Sequence, residues 1–251
     1  MVVPSRNRPA LVARAVRSAL QPGVGEVVVV DDGSEPPVDL GSLRNPRLRL
    51  LRREGGGVSA ARNAGVAAAR GSHLVFLDDD DRLAPLAGLA FRRWLARAGD
   101  EAAGRVIVGG VLGERPGRRP RLRRPPSSRA GEIWGLDAHL LAGGRDFATK
   151  QGALIPRALL DRAGGWDEAL ATREASELFF RLTAIAPVEG HAWPVYRLNR
   201  GPHEKLTLDQ GKRERSVAYI RAKHAALLAD PARRAAFEGN HREVMARAAA
   251  A

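Results

Sequence analysis

Residues 57–81 read GVSAARNAGVAAARGSHLVFLDDDD. Gly55-Gly56-Gly57 interrupts the chain ahead of this stretch. Ser59 is a residue type that caps helices, so a helix is expected from there to about Arg70. The short apolar run His73–Leu77 reads as a strand, and it ends in four consecutive carboxylates, Asp78 to Asp81. Like charges packed this closely repel, and such a run at a strand end is costly unless something cationic neutralises it. A hard divalent ion, Mg²⁺ or Mn²⁺, suits carboxylate oxygens and leaves room for phosphate oxygens. A solvated acidic turn, with one aspartate capping the next helix, is the alternative that this run alone leaves open.

Outward from this stretch, strands and helices alternate. Met1–Pro4 reads as the end of a strand, and Pro9–Leu20 repeats apolar residues at helical spacing through Leu11, Ala15 and Ala19. Glu26–Val30 is a continuous β-branched run closed by Asp31-Asp32-Gly33-Ser34. Continuous rather than alternating apolar character fits a strand covered on both faces, as in a parallel sheet. A strand at Arg47–Leu51, a helix at Leu86–Ala98 and a strand at Arg105–Leu112 continue the pattern. Together they predict an α/β fold with a mainly parallel central sheet. Two acidic clusters then fall at carboxyl ends of strands, the edge where open α/β sheets bind ligands. Asp31-Asp32-Gly33-Ser34 taken alone fits a helix cap with an Asp-Gly turn as well as a ligand contact.

Between the strands and the rest of the chain, Glu114–Gly131 holds Pro116, Pro120, Pro125 and Pro126 and a series of arginines from Arg115 to Arg129. Neither a helix nor a central strand tolerates that density of proline, so a loop is expected. Beyond it, Pro156–Ala163 and Ser176–Ile185 read as helices and Val188–Leu198 as extended. From Lys212 the chain is helix-prone, with Pro231 dividing it.

Composition narrows the classes. The 251 residues carry Lys+Arg 41 against Asp+Glu 28, a formal net charge of +13. The absence of cysteine excludes a disulfide scaffold, a Cys-ligated metal site and thiol catalysis. No apolar run approaches the ~20 residues of a membrane span, and the start MVVPSRNRP lacks the layout of a signal peptide. A cytoplasmic location is expected on that basis. The basic balance raises a nucleic-acid partner. Against it, aromatics are only 5%, and no nucleic-acid-binding signature appears. No nucleic acid is therefore expected. A dinucleotide-dependent dehydrogenase is excluded too, because Ser5-Arg6-Asn7-Arg8-Pro9 stands where G-x-G-x-x-G would be needed.

Four stretches in order, VVPSRNRP (2–9), VVVVDDGS (27–34), the 57–81 stretch and AGGWDEAL (163–170), resemble the motifs of the family 2 glycosyltransferases. That resemblance implies a GT-A, Rossmann-like single domain with added C-terminal helices. It divides the chain into a nucleotide-sugar half at 1–112, a basic loop at 113–131, an acceptor half at 132–210 and a helical segment at 211–251. The implied donor is a nucleoside-diphosphate sugar, UDP- or dTDP-linked, with Mn²⁺ or Mg²⁺ as cofactor and an unidentified acceptor. Pro4 and Arg6 would flank the base, and Asp32 would hydrogen-bond it with Asp31 beside it. Asp78 or Asp79 would meet the ribose, and Asp80 would ligate the metal bridging the diphosphate. Asp81 would orient the loop, and Arg62 would support the diphosphate or the Asp80 loop. His203 would approach the metal or phosphate, while Trp166 and Asp167 would lie at the acceptor.

The chain departs from the family at the catalytic base. Inverting members place a Glu-Asp pair after the GG-aromatic-DE element, and here the pair is Glu174-Ala175. Glu174 is the expected base, with Glu177 and Asp167 as alternatives. A degenerate member that binds nucleotide without efficient transfer is the other reading. The arginine segment could engage diphosphate, an acidic acceptor or an anionic membrane surface, or could be a solvated loop.

Overall fold

The computed structural model describes residues 1–125, 132–134, 150–201 and 209–249. Strand β2 (Val27–Asp32) is buried along its whole length, because both faces of its valine run are covered. Val27 and Val29 pack with Val12 and Val16 of α1 (Pro9–Ala19) and with Phe91 and Trp94 of α3 (Ala87–Ala98). Val28 and Val30 pack on the other side, with Ala61 of α2 (Val58–Ala68) and with Leu178 and Leu182 of α5 (Glu174–Ile185). The two-sided burial inferred from the apolar run is therefore what the fold delivers.

β2 lies between β1 (Val2–Ser5) and β3 (Leu48–Arg53), all parallel. A parallel bridge from Val2 to Phe76 carries the sheet onward, with hydrogen bonds Val2 N to Val75 O and Leu77 N to Val2 O at 2.9 Å. The second part of the sheet runs β4 (His73–Leu74), β9 (Ala153–Pro156), β6 (Val106–Glu114), β10 (Val188–Asn199) and β5 (Arg82–Leu83). There β6 and β10 are parallel, whereas β9 and β5 run antiparallel to their neighbours. The α/β architecture stands. Its parallel part is β1–β3 with the strand leading to Asp78, and the remainder is mixed. Because β9 inserts between β4 and β6, the two halves read from the sequence share one sheet.

Two local readings are corrected. Helix α2 starts at Val58, with Gly57 in the cap position at φ 93°, so Ser59 lies inside the first turn. That positive φ favours glycine. The basic stretch is also not all loop: β7 (Arg121–Arg123) pairs antiparallel with Val111–Gly113 of β6, as an outer strand. Pro120 and Pro125 flank the paired residues, where no ladder hydrogen bond is lost. β8 (Glu132–Trp134) pairs antiparallel with β10.

Gly65 lets α2 approach β1 closely, since a Cβ there would sit 2.3 Å from Val2 Cγ1. Helices α4 (Arg157–Ala163), α6 (Gln210–Lys223) and α7 (Pro231–Ala249) complete the domain. Phe180 and Leu170 gather Val217 and Ile220 of α6 together with Leu228 and Phe237 into a separate apolar cluster. Each such buried side chain contributes about 2 kcal/mol, which fastens the C-terminal helices to α5. Among the described residues no helix is long and apolar enough to cross a membrane.

Candidate active site

The parallel strands put their carboxyl ends on one edge, and the register decides what meets there. Ser5 pairs with Asp31 at the end of β1, and Val2 is level with Phe76. Extending that register brings Ser5 level with Asp79, and Ser5 Oγ donates to Asp79 Oδ2 at 2.8 Å. The two acidic clusters are thus joined across a single strand.

The aspartates do different work. Asp31 is 1% exposed and accepts from Ser34 N at 2.9 Å, Val38 N at 3.1 Å and Arg52 Nη1 at 2.9 Å. Burial disfavours its charge, but the hydrogen bonds from Ser34 and Val38 and the Arg52 guanidinium outweigh this and hold it below the usual carboxylate range. Its carboxylate is engaged by its own loop. Asp32 accepts from Arg53 Nη1 at 3.0 Å and from Gly57 N at 2.8 Å, tying β2 to the start of α2. A cleft of about 460 Å³, lined by Gly33, Glu35, Arg52, Arg53 and Glu54, opens beside this pair. A second cavity of about 470 Å³ lies near Met1, Glu26 and Arg47, at the opposite end of the strands from the carboxylates.

In the 78–81 run, Asp78 accepts from Arg62 Nη2 at 2.7 Å. Asp79 accepts from Arg8 Nη1 at 3.2 Å in addition to Ser5. Burial pushes Asp79 up to about 6, and the charges of Asp80 and Asp78 add to the rise against Ser5 and Arg8. Asp80 is within 3.7 Å of Arg8 Nη1, and its backbone carbonyl accepts from Arg14 at 2.9 Å. Asp81 is buried and accepts from Tyr196 Oη at 2.9 Å and from Asn199 N at 2.7 Å. Burial lifts it to about 8, with Asp78 and Asp80 contributing. Tyr196 also accepts from Asp78 N at 3.1 Å, so this one phenol braces both ends of the run against β10.

Arg62 sits at the junction. It is 5% exposed, donates to Asp78 and, at 3.1 Å, to Glu174 Oε1, and lies 4.3 Å from the Trp166 ring centroid. Burial works against its charge, yet Asp78 and Glu174 raise its pKa further above the ordinary arginine value. Glu174 opens α5 directly after Arg173, whose φ of 65° is left-handed. A non-glycine residue in that conformation marks a backbone held in place by its surroundings.

The other expected residues are distributed differently. Asp167 faces α6, where Lys223 Nζ reaches it at 2.5 Å. Glu177 is fully buried and engaged by Arg181, Lys223 and His224. Burial alone would raise Glu177, but His224, Arg181 and Lys223 bring it down to about 2. Trp166 is a core side chain, edge-on to Phe76 at 4.8 Å and covered by Arg62. Pro4 is buried in β1 and Arg6 is exposed just past its end. His203 lies outside the described residues. Ser5, Arg8, Asn63 and Tyr196 were not anticipated. Asn63 binds Trp166 N, Trp166 O and Glu168 at 2.8–2.9 Å, fastening α2 to the 166–168 turn. The adjacent Arg62-Asn63 pair inside the 57–81 stretch was the available signal, whereas nothing in the sequence marks Tyr196.

Among the described residues no three His, Asp or Glu side chains converge on a closed metal cage. The acids are oxygen donors only, and Arg62, Arg8 and Tyr196 engage Asp78, Asp79 and Asp81 at short range. This donor chemistry fits Mg²⁺ or Mn²⁺ held by one or two carboxylates with water and phosphate oxygens, rather than an all-protein cage.

Residues 1–157 match the family model described as Glycosyl transferase family 2. The chain belongs to that family. The Succinoglycan biosynthesis protein ExoO of Rhizobium meliloti (strain 1021) is 42% identical over 112 residues, 43% of this chain and 31% of that protein. The uncharacterized glycosyltransferase EpsJ of Bacillus subtilis (strain 168) is 33% identical over 89 residues, 32% of this chain and 25% of its own length. The matches thus span about a third or less of these curated relatives. S. aureus TarS 1-349, crystallised in complex with UDP-GlcNAc, superposes with a TM-score of 0.65 at 20% identity, covering 88% of this chain and 64% of that one. Its complex with UDP gives 0.64 at 19% identity, covering 88% and 63%. At these identities the likeness concerns the fold. The GT-A reading of the sequence agrees with it.

Proposed function

We propose that this family 2 member transfers a sugar from a nucleoside-diphosphate donor to an acceptor nucleophile, with the donor along the carboxyl edge of β1, β2 and the strand ending at Leu77. The observation that carries this reading is the Arg62 bridge, which puts Glu174 and Asp78 on one guanidinium. A candidate base and the aspartate run are thereby within one side chain of each other. The Asp32 side, with its adjoining cleft, takes the base of a UDP- or dTDP-sugar, and Asp78 or Asp79 meets the ribose. UDP-GlcNAc bound to TarS supports a uridine donor.

Asp80 is the residue proposed to hold Mn²⁺ or Mg²⁺, whose chemistry when bound is to neutralise charge on the departing diphosphate. Glu174 accepts the acceptor's proton. Its rivals are held elsewhere, Glu177 by Arg181, Lys223 and His224 and Asp167 by Lys223. Arg62 orients Glu174, and inversion at the anomeric carbon follows from attack on the face opposite the leaving group. A Glu174→Gln variant keeps the Arg62 hydrogen bond and removes the base. Release of nucleoside diphosphate from UDP- and dTDP-sugars should fall about 10²–10⁴-fold, while nucleotide binding persists. Unchanged turnover rejects Glu174 as the base. Ala175, which packs against the core, favours the second reading of nucleotide binding without efficient transfer. That reading predicts binding of UDP with no sugar release by the unaltered chain.

A further inference from the structure

The turn joining β6 to β7, with the residues just after it, carries Arg115, Arg118, Arg119, Arg121, Arg123 and Arg124 and no acid. Residues 115–121 and Arg124 are all exposed. Among the described residues, Arg115, Arg118, Arg119, Arg121 and Arg124 have no acidic partner. The acid nearest in sequence, Glu114, is already engaged by Arg82 and Arg197. Arg200 adds another cation at the base, where its backbone N donates to Glu114 O at 2.7 Å.

The placement is as informative as the charge. β6 and β10 run parallel, and Asn199 at the end of β10 donates to Asp81. The arginine turn therefore projects from the same edge as the candidate active site. Pro194 of β10 is level with Gly110, and Arg123 of β7 is level with Val111. Trp193, 53% exposed, and Arg124 thus flank β6 at one height. Unpaired arginines at this density repel one another unless a polyanion faces them. A nucleic acid laid along the edge would also meet Asp78–Asp81, whereas a broad acidic surface touches only what projects. An exposed tryptophan beside basic residues is the composition of a membrane interface.

We propose that the β6–β7 turn docks the protein on an acidic lipid surface, with the carboxylate edge held beside that surface. The surface is independent of the proposed transfer, and its test needs neither donor nor turnover. The full chain is sedimented with vesicles of phosphatidylcholine alone or mixed with phosphatidylglycerol, across a salt series. Binding is expected only to the acidic vesicles and weakens as salt rises. Each basic residue at such a surface is worth about fivefold in partition, so R118Q/R119Q should lower it about 25-fold. A variant with Arg115, Arg118, Arg119, Arg121 and Arg124 all changed to Lys should still bind, which separates charge from fold. Equal partition to neutral and acidic vesicles overturns the proposal. So does unchanged binding by R118Q/R119Q, loss of binding by the Lys variant, or tighter binding to duplex RNA than to acidic vesicles at physiological salt.

Discussion

Arg62→Met removes the guanidinium while keeping an apolar stem of similar length against Trp166. Two charge-assisted hydrogen bonds are lost, to Asp78 at 2.7 Å and Glu174 at 3.1 Å. Such bonds contribute about 1.5–3 kcal/mol each. Two effects reduce the sum. The Asp78 and Glu174 side chains are 37% and 18% exposed, so water takes over part of their solvation. The variant also escapes the cost of burying Arg62 itself. A net loss of about 3 kcal/mol remains. For a chain of this size each kcal/mol moves Tm by about 2–4 °C, so thermal unfolding should shift down by about 6–12 °C. Arg62→Lys should fall between, because an ammonium lacks the planar fork that spans two carboxylates. Differential scanning fluorimetry at neutral pH and low salt reads both variants. A shift below about 2 °C for Arg62→Met would refute the view that this bridge joins the two halves of the site.

Glu177→Gln should destabilise the fold by about 3 kcal/mol, because Arg181, Lys223 and His224 lose their shared carboxylate. The pH dependence has a definite sign. Glu177 is held at about 2 against 4.5 when unfolded, so its stabilisation is complete above the unfolded value and disappears as pH falls towards the folded one. Denaturant melts of the two proteins should therefore differ at neutral pH and converge on acidification; a constant gap contradicts this. Asn63→Ala removes three hydrogen bonds to residues 166–168. It should cost about 1–3 kcal/mol in a urea melt, and hydrogen exchange at the Trp166 amide should quicken; an unchanged exchange rate counts against the tie.

The fold was legible where the sequence imposes one answer. The β2 valines admit only a strand covered on both sides, whereas the close approach of α2 to β1 at Gly65 is visible only in the structure. Neighbouring residues of one type were harder to read. Asp31 and Asp32 are alike in sequence, but opposite faces of one strand send the first to its own loop and the second to Gly57 and Arg53. The same holds in the aspartate run, where Tyr196, 115 residues beyond Asp81, determines which acid is tied inward. Glu177 stood as an alternative base because its partners Lys223 and His224 lie at the end of a helix that carries no family motif. Over the described residues 115–125 proline density excluded a central strand but not an outer one, since a strand edge facing solvent needs no ladder bond there.

Titration calorimetry of UDP-GlcNAc and UDP, with and without Mn²⁺, is the most direct trial of the claim that the carboxylates closing the parallel strands make one donor pocket. The unaltered chain should take up nucleotide more tightly when Mn²⁺ is present. Asp80→Ala should lose that cation-linked gain, while Asp167→Ala should keep it. Uptake indifferent to Mn²⁺, or equal gain in Asp80→Ala, would contradict a cation held at Asp80, and no uptake under any condition would contradict the pocket itself.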